Sequence, residues 1–124
     1  MPETSYCLIL DKSPCIQYSF DYNLSMYTIK ETPEFQDWLD GIRDLKTRIR
    51  LAKRLAKVRN GNLGDTEPVG DGISEMREHF GPGWRMYYIK QGKIIIVMLG
   101  GGDKSTQAAD IKAAKKILKT LGEL

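Results

Sequence analysis

The stretch Ile73–Ser105, ISEMREHFGPGWRMYYIKQGKIIIVMLGGGDKS, decides the fold. Two runs rich in strand formers flank the breaker Gly81-Pro82-Gly83, and a third follows the turn signal Gln91-Gly92. The stretch is therefore predicted as three consecutive antiparallel strands, a β-meander. Period-2 alternation puts Glu75, Arg77 and His79 on one face of the first strand and Met76, Glu78 and Phe80 on the other. In the second strand it separates Arg85, Tyr87 and Ile89 from Trp84, Met86 and Tyr88. Trp84, Met86, Met76 and Phe80 call for a core, so Arg77, His79, Arg85 and Tyr87 are expected together on the opposite, open face, where cations and rings suit a polyanion. The third strand, from Lys93 to Leu99, is an unbroken Ile-Ile-Ile-Val-Met-Leu run, the pattern of a central strand covered on both faces.

Outward from this stretch, length and composition set limits. A chain of 124 residues with a 41% apolar share has material for one modest core. The net charge of +3 is mild, so any argument for a nucleic-acid partner rests on how charge is distributed. Cys7 and Cys15 match no common zinc or redox spacing, and no metal or cofactor is expected. The longest apolar run falls far short of the roughly 20 residues of a membrane span, and the first ten residues lack the basic region of a secretory signal. A soluble, cytoplasmic protein without a membrane partner is the expectation.

Residues 1–25 show no sustained period and are read as an N-terminal extension ahead of a domain covering 26–124. A strand is predicted from Met26. Thr32-Pro33-Glu34 then signals a helix start, with Thr32 as N-cap and Pro33 at the first helical position, and Phe35, Trp38, Leu39 and Ile42 forming one apolar face. A second helix is expected from about Asp44 to the Asn60-Gly61-Asn62 stop, with Leu45, Ile49, Ala52 and Ala56 as its core stripe. Between Ile42 and Arg59 eight cations stand against the single anion Asp44. Lys46, Arg50, Lys53, Arg54 and Lys57 are read from this asymmetry as a positive surface for a phosphate backbone or an acidic partner. Gly61–Gly72 is all turn chemistry and is read as a connector, because no lysine follows its glycines in phosphate-loop spacing. Gly100-Gly101-Gly102-Asp103-Lys104-Ser105 lacks both the GxGxxG and Walker patterns. It is read as a loop that brings Lys104 close to the open face of the hairpin, with Ser105 capping a last helix whose Ile111, Ala114, Leu118 and Leu121 face inward.

The order is thus strand, two helices, three-stranded meander, helix. YTIKETPEFQDWL near the start, RNGNLGD at the end of the basic helix, SEMREHFGPGWRMYY in the hairpin and MLGGGDKSTQAADI at the close resemble the RelE/ParE superfamily of bacterial toxins, specifically the HigB-like group of addiction-module killer proteins. The resemblance spans about residues 26–121. It implies an α+β fold, with a small antiparallel sheet made of the N-terminal strand and the C-terminal meander, packed against a helical hairpin and a C-terminal helix.

The resemblance also implies a ribosome-associated endoribonuclease that cleaves mRNA, inhibits translation and is held inactive by a cognate antitoxin, a helix-turn-helix protein from an adjacent gene. Cleavage through the RNA's own 2′-hydroxyl needs no metal. It needs a proton acceptor, cations for the pentacovalent phosphate and an acid for the leaving oxygen. Arg85, within the GWR motif, is the first candidate to grip the phosphate, and Arg77 beside it the second. Lys104 is a third cation, able to join in proton transfer if neighbouring cations depress it. Tyr87 and His79 can stack on a base or relay a proton. The assignment of acid and base stays open. Two other functions share this fold: a ParE-like inhibitor of DNA gyrase, and a catalytically silent antitoxin-binding module.

Overall fold

The computed structural model describes residues 26–122. The extension read into 1–25 lies outside them. The elements are β1 (Thr28–Glu31), α1 (Pro33–Asp40), α2 (Leu45–Arg59), β2 (Thr66–Gly70), β3 (Ile73–Glu78), β4 (Trp84–Gln91), β5 (Ile95–Asp103), a 3-10 turn (Lys104–Thr106) and α3 (Gln107–Gly122). The strands form one sheet in the order β1-β5-β4-β3-β2. The meander β3-β4-β5 is antiparallel as expected, whereas β1 joins β5 in parallel, making the sheet mixed.

Thr32 shows how local sequence sets the first helix. Its hydroxyl accepts from the Phe35 amide at 3.2 Å and donates to the Met98 carbonyl at 2.9 Å. The cap, worth about 1 kcal/mol, thereby also ties the start of α1 to the central strand β5. Phe35 follows into the core, fully buried.

One face of the sheet packs on α1 and α2 through Phe35, Leu51, Leu55, Val58, Met76, Met86 and Met98. The other packs on α3 through Ile73, Tyr87, Val97, Leu99 and Ala114. Sandwiched between the two, β5 buries Ile96, Val97, Met98 and Leu99 in succession, the burial expected of a central strand. The face expected to be open is therefore largely roofed by α3. The alternation placed its residues correctly, but the hairpin alone carried no information about what docks on it.

Three further expectations are corrected. First, Thr66–Gly70, inside the supposed connector, is an edge strand paired with β3. It read as loop because Val69 is its one large apolar residue and Pro68 lacks an amide, which an edge strand tolerates. Asp71 and Gly72, with φ of 57° and 82°, make the turn into β3.

Second, the buried arc of α2 is Thr47, Leu51, Arg54, Leu55 and Val58. Leu45, Ile49, Ala52 and Ala56 are exposed. The helix offers two apolar lines, and the sheet takes the one holding Leu51, Leu55 and Val58.

Third, Gly100–Gly102 belong to β5 and form no loop. A register shift against β4 leaves Leu99 without a partner and turns Gly101 toward α1 and Gly102 toward α3. A Cβ at Gly101 would lie 2.5 Å from the Trp38 ring, and one at Gly102 would lie 1.9 Å from Asp110 Oδ2. The two glycines are present because both helices press directly on the strand.

Candidate nucleic-acid interface

Adjacent antiparallel strands hold Arg77 of β3 and Arg85 of β4 directly opposite one another. Arg85 in turn faces Gly102 of β5. Beyond the end of β3, His79 continues the face of Arg77. The turn Gly81-Pro82-Gly83 then brings the chain back beside Lys104: a Cβ built on Gly83 would sit 3.6 Å from Lys104 Cβ and 3.7 Å from Arg85 Nη1. Arg77, Arg85 and Lys104 thus gather at one end of the sheet, around the hairpin tip. Asp103 fixes the approach of Lys104 by accepting from the Ser105 hydroxyl and from the Ser105 amide, the latter at 2.8 Å, and these bonds, the hydroxyl's first, hold the Asp103 carboxyl below its usual range.

The two arginines are in different situations. Arg77 Nη2 donates to Asp65 Oδ1 at 3.0 Å, and its Nη1 lies 3.7 Å from Glu67; both pairs are partly open to solvent. Asp65 Oδ2 lies 2.5 Å from His79 Nε2, whose side chain is 70% exposed. Hydrogen bonds first from Arg77 and then from His79 pull the Asp65 carboxyl down to about 2. Arg85, by contrast, is 11% exposed, with Nε 3.4 Å from Glu75. Glu75 is itself buried and accepts a hydrogen bond from Gln107 of α3 at 3.0 Å.

Two expected site residues are corrected. Tyr87 is fully buried and its hydroxyl has no hydrogen-bond partner among the described residues. Burial, then the negative charges of Glu75 and Asp110, push its phenol far above the usual range. It neither stacks on a base nor relays a proton from this position, since α3 lies over it.

Arg54, expected among the phosphate contacts of the basic helix, is only 6% exposed. Its guanidinium donates to the carbonyls of Leu63, Asp65 and Arg77 and pairs with Glu78. Lys46, Arg50, Lys53 and Lys57 do face solvent. Arg50 lies 3.8 Å above the Phe80 ring, and a cleft of about 150 Å³ opens between Arg50, Lys53, Arg54, Lys57 and Glu78. This cation group sits on the α2 side of the sheet and the Arg77 group on the α3 side; they meet at the end of β3, where Arg54 holds the Arg77 carbonyl.

Asp65 and Glu75 were missed by sequence reasoning. Asp65 lay within the supposed connector, where the RNGNLGD motif that carries the resemblance contains it without giving it a role. Among the described residues no group of three or more His, Cys, Asp or Glu side chains is arranged to hold a metal ion. No described helix is long and apolar enough to cross a membrane.

Two solved structures share this arrangement of strands and helices. The chain resembles a free-state double arginine-to-alanine variant of E. coli toxin RelE with a TM-score of 0.57 and 13% identity, over 77% of this chain and 97% of that one. It resembles the RelBE2 toxin–antitoxin complex of Mycobacterium tuberculosis with a TM-score of 0.53 and 15% identity, over 64% of this chain and 99% of that one. The fold is that of these RelE toxins. No family model matches the sequence. An uncharacterized protein of Haemophilus influenzae is 40% identical over 94 residues, spanning 76% of this chain and 95% of that protein, and the chain belongs to the same family as this relative.

Proposed function

We propose that the chain is the toxin of a type II toxin–antitoxin pair of the HigB-like group, a metal-independent endoribonuclease that cuts mRNA on the ribosome and is neutralised in the cytoplasm by a cognate helix-turn-helix antitoxin. The observation that carries this reading is the direct cross-strand pairing of Arg77 with Arg85, with Lys104 across Gly83 from the latter. Three cations on rigid backbone at one end of a sheet are suited to hold a phosphate and to meet the charge that develops on it during attack by the neighbouring 2′-hydroxyl. The exposed Lys46, Arg50, Lys53 and Lys57 extend the positive surface for flanking phosphates.

The test is a cleavage assay on RNA with 2′-deoxy or 2′-methoxy substitution at the scissile nucleotide. The modified substrate is expected to bind and resist cleavage. In cells, brief expression is expected to leave transcripts cut within coding regions. The second reading, a ParE-like gyrase inhibitor or a silent binding module, is favoured by the burial of Tyr87 and the engagement of Arg85 with Glu75. Intact transcripts beside broken chromosomes would replace the first reading with a gyrase inhibitor.

A further inference from the structure

The loop between α2 and β2 is built around one guanidinium. Arg54 Nη2 donates to the Asp65 carbonyl at 2.7 Å, and the same carbonyl accepts the Arg77 amide at 3.0 Å. Gly64, at φ +71°, lets the loop close against the Arg54 guanidinium, 3.0 Å from where its Cβ would stand. Asn62 braces the turn by accepting the Gly64 amide at 3.0 Å. Asp65 is thus fixed through its backbone to both α2 and β3, although its side chain is exposed.

That side chain divides its two oxygens between Arg77 at 3.0 Å and His79 Nε2 at 2.5 Å. A carboxylate on Nε2 keeps the neutral ring's proton on that nitrogen and leaves the Nδ1 lone pair free. This is the relation of a general base to its orienting acid, and it stands beside the cations Arg77, Arg85 and Lys104. The deeply depressed Asp65 carboxyl stays charged throughout the neutral range.

We propose that His79 accepts the proton of the attacking 2′-hydroxyl and that Asp65, secured from behind by Arg54, is its positioning residue. The inference rests on the ribonuclease reading. In the step, Nδ1 takes the 2′-hydroxyl proton as O2′ bonds to phosphorus. The P–O5′ bond breaks with its electron pair on O5′, which takes a proton from solvent. The products are a 2′,3′-cyclic phosphate and a 5′-hydroxyl, and the imidazolium returns its proton to water.

The test is single-turnover cleavage of an RNA that the unaltered protein cuts, by His79→Ala, Asp65→Asn, Asp65→Glu and the His79→Ala/Asp65→Asn double variant, each checked for an unchanged circular dichroism spectrum. His79→Ala is expected to slow cleavage about 100-fold or more, with partial recovery on adding imidazole, which a structural role would not produce. Asp65→Asn is expected to be about 10-fold slower, Asp65→Glu to recover part of that loss, and Asp65→Asn to have almost no effect in the His79→Ala background. Cleavage by His79→Ala at the full rate overturns the proposal. So does an Asp65→Asn loss that is just as large in the His79→Ala background, because Asp65 would then act through Arg77 or the loop. An unaltered protein that cuts no RNA overturns the ribonuclease reading itself, and the proposal falls with it.

Discussion

Replacing Arg54 by alanine is expected to damage stability more than RNA binding. The guanidinium makes hydrogen bonds of 3.1 and 2.8 Å to the Leu63 carbonyl and 2.7 Å to each of the carbonyls of Asp65 and Arg77, and it pairs with Glu78. Removing one partner of a buried ion pair costs about 3–5 kcal/mol, because the charge left behind stays desolvated. Charging each orphaned carbonyl separately would add about 1–3 kcal/mol apiece and approach the whole stability of a domain, about 5–15 kcal/mol. Contacts of one group do not sum in that way. Glu78 is 21% exposed and the loop carbonyls lie near solvent, so relaxation brings in water. The lower end, about 3 kcal/mol, is the expected loss. For a domain of this size that corresponds to a fall of about 12–24 °C in melting temperature.

Urea denaturation followed by the fluorescence of Trp38 and Trp84, both packed on the α1–α2 core, measures it. Arg54→Lys should recover less than half, since an ammonium cannot span three carbonyls and a carboxylate. Exposed Lys53→Ala should stay within about 0.5 kcal/mol. A loss below about 1 kcal/mol for Arg54→Ala would refute the clamp and return Arg54 to the proposed RNA-binding surface.

Gly101→Ala should cost more than Gly102→Ala within the overpacking range of about 1–3 kcal/mol, because the Trp38 ring it meets is wedged against Phe35 and Trp84, whereas Asp110 is a short chain that can turn aside; the reverse order in urea denaturation would contradict this packing. Arg85→Ala should slow cleavage, since a nearby positive charge is lost, and also destabilise by about 3 kcal/mol, since buried Glu75 loses its ion pair. The Glu75→Gln/Arg85→Ala double variant should regain stability with cleavage still slowed, and cleavage at the full rate there would remove Arg85 from the site. The depressed Asp65 carboxyl contributes stability that is fully present above its ordinary value of 3.8 and is lost as pH falls through about 2. Melting temperatures of the unaltered protein and Asp65→Asn should therefore converge across that window, and a gap unchanged from neutral pH to pH 2 would show that the ion pairs of Asp65 do not act on stability.

The elements legible in the sequence are those whose signals are local. Thr32-Pro33 marks the start of α1 because the cap and the proline act within four residues, and Trp84–Ile89 reveals its two faces because alternation is a property of a single strand. What escaped depends on partners distant in the chain. Orientation of α2 could not be read from a helix with two apolar lines, and Arg54 sits in the buried line only because three carbonyls and Glu78 converge there. β2 exists through its pairing with β3, which a TEPVG segment does not announce. In the candidate site, Arg77 and Arg85 were legible as neighbours, whereas Asp65 reaches Arg77 across twelve residues of chain, and Tyr87 is closed off by a helix that begins twenty residues later.

These same contacts decide which arginine is available to a phosphate. Sequence reasoning ranked Arg85 ahead of Arg77. Arg85 is held against a buried carboxylate that Gln107 also binds, so handing it to a ligand would leave the buried Glu75 charge with only the Gln107 hydrogen bond. Arg77 is paired with Asp65 in a solvent-open contact, the kind that water and salt already weaken, and an arriving phosphate can take over the guanidinium while Asp65 keeps His79. On the proposed ribonuclease reading, this exchange makes Arg77 the arginine that would meet the scissile phosphate. Arg85 would contribute its field from one strand away, and the carboxylate released from Arg77 would be left wholly to the imidazole proposed to take the proton.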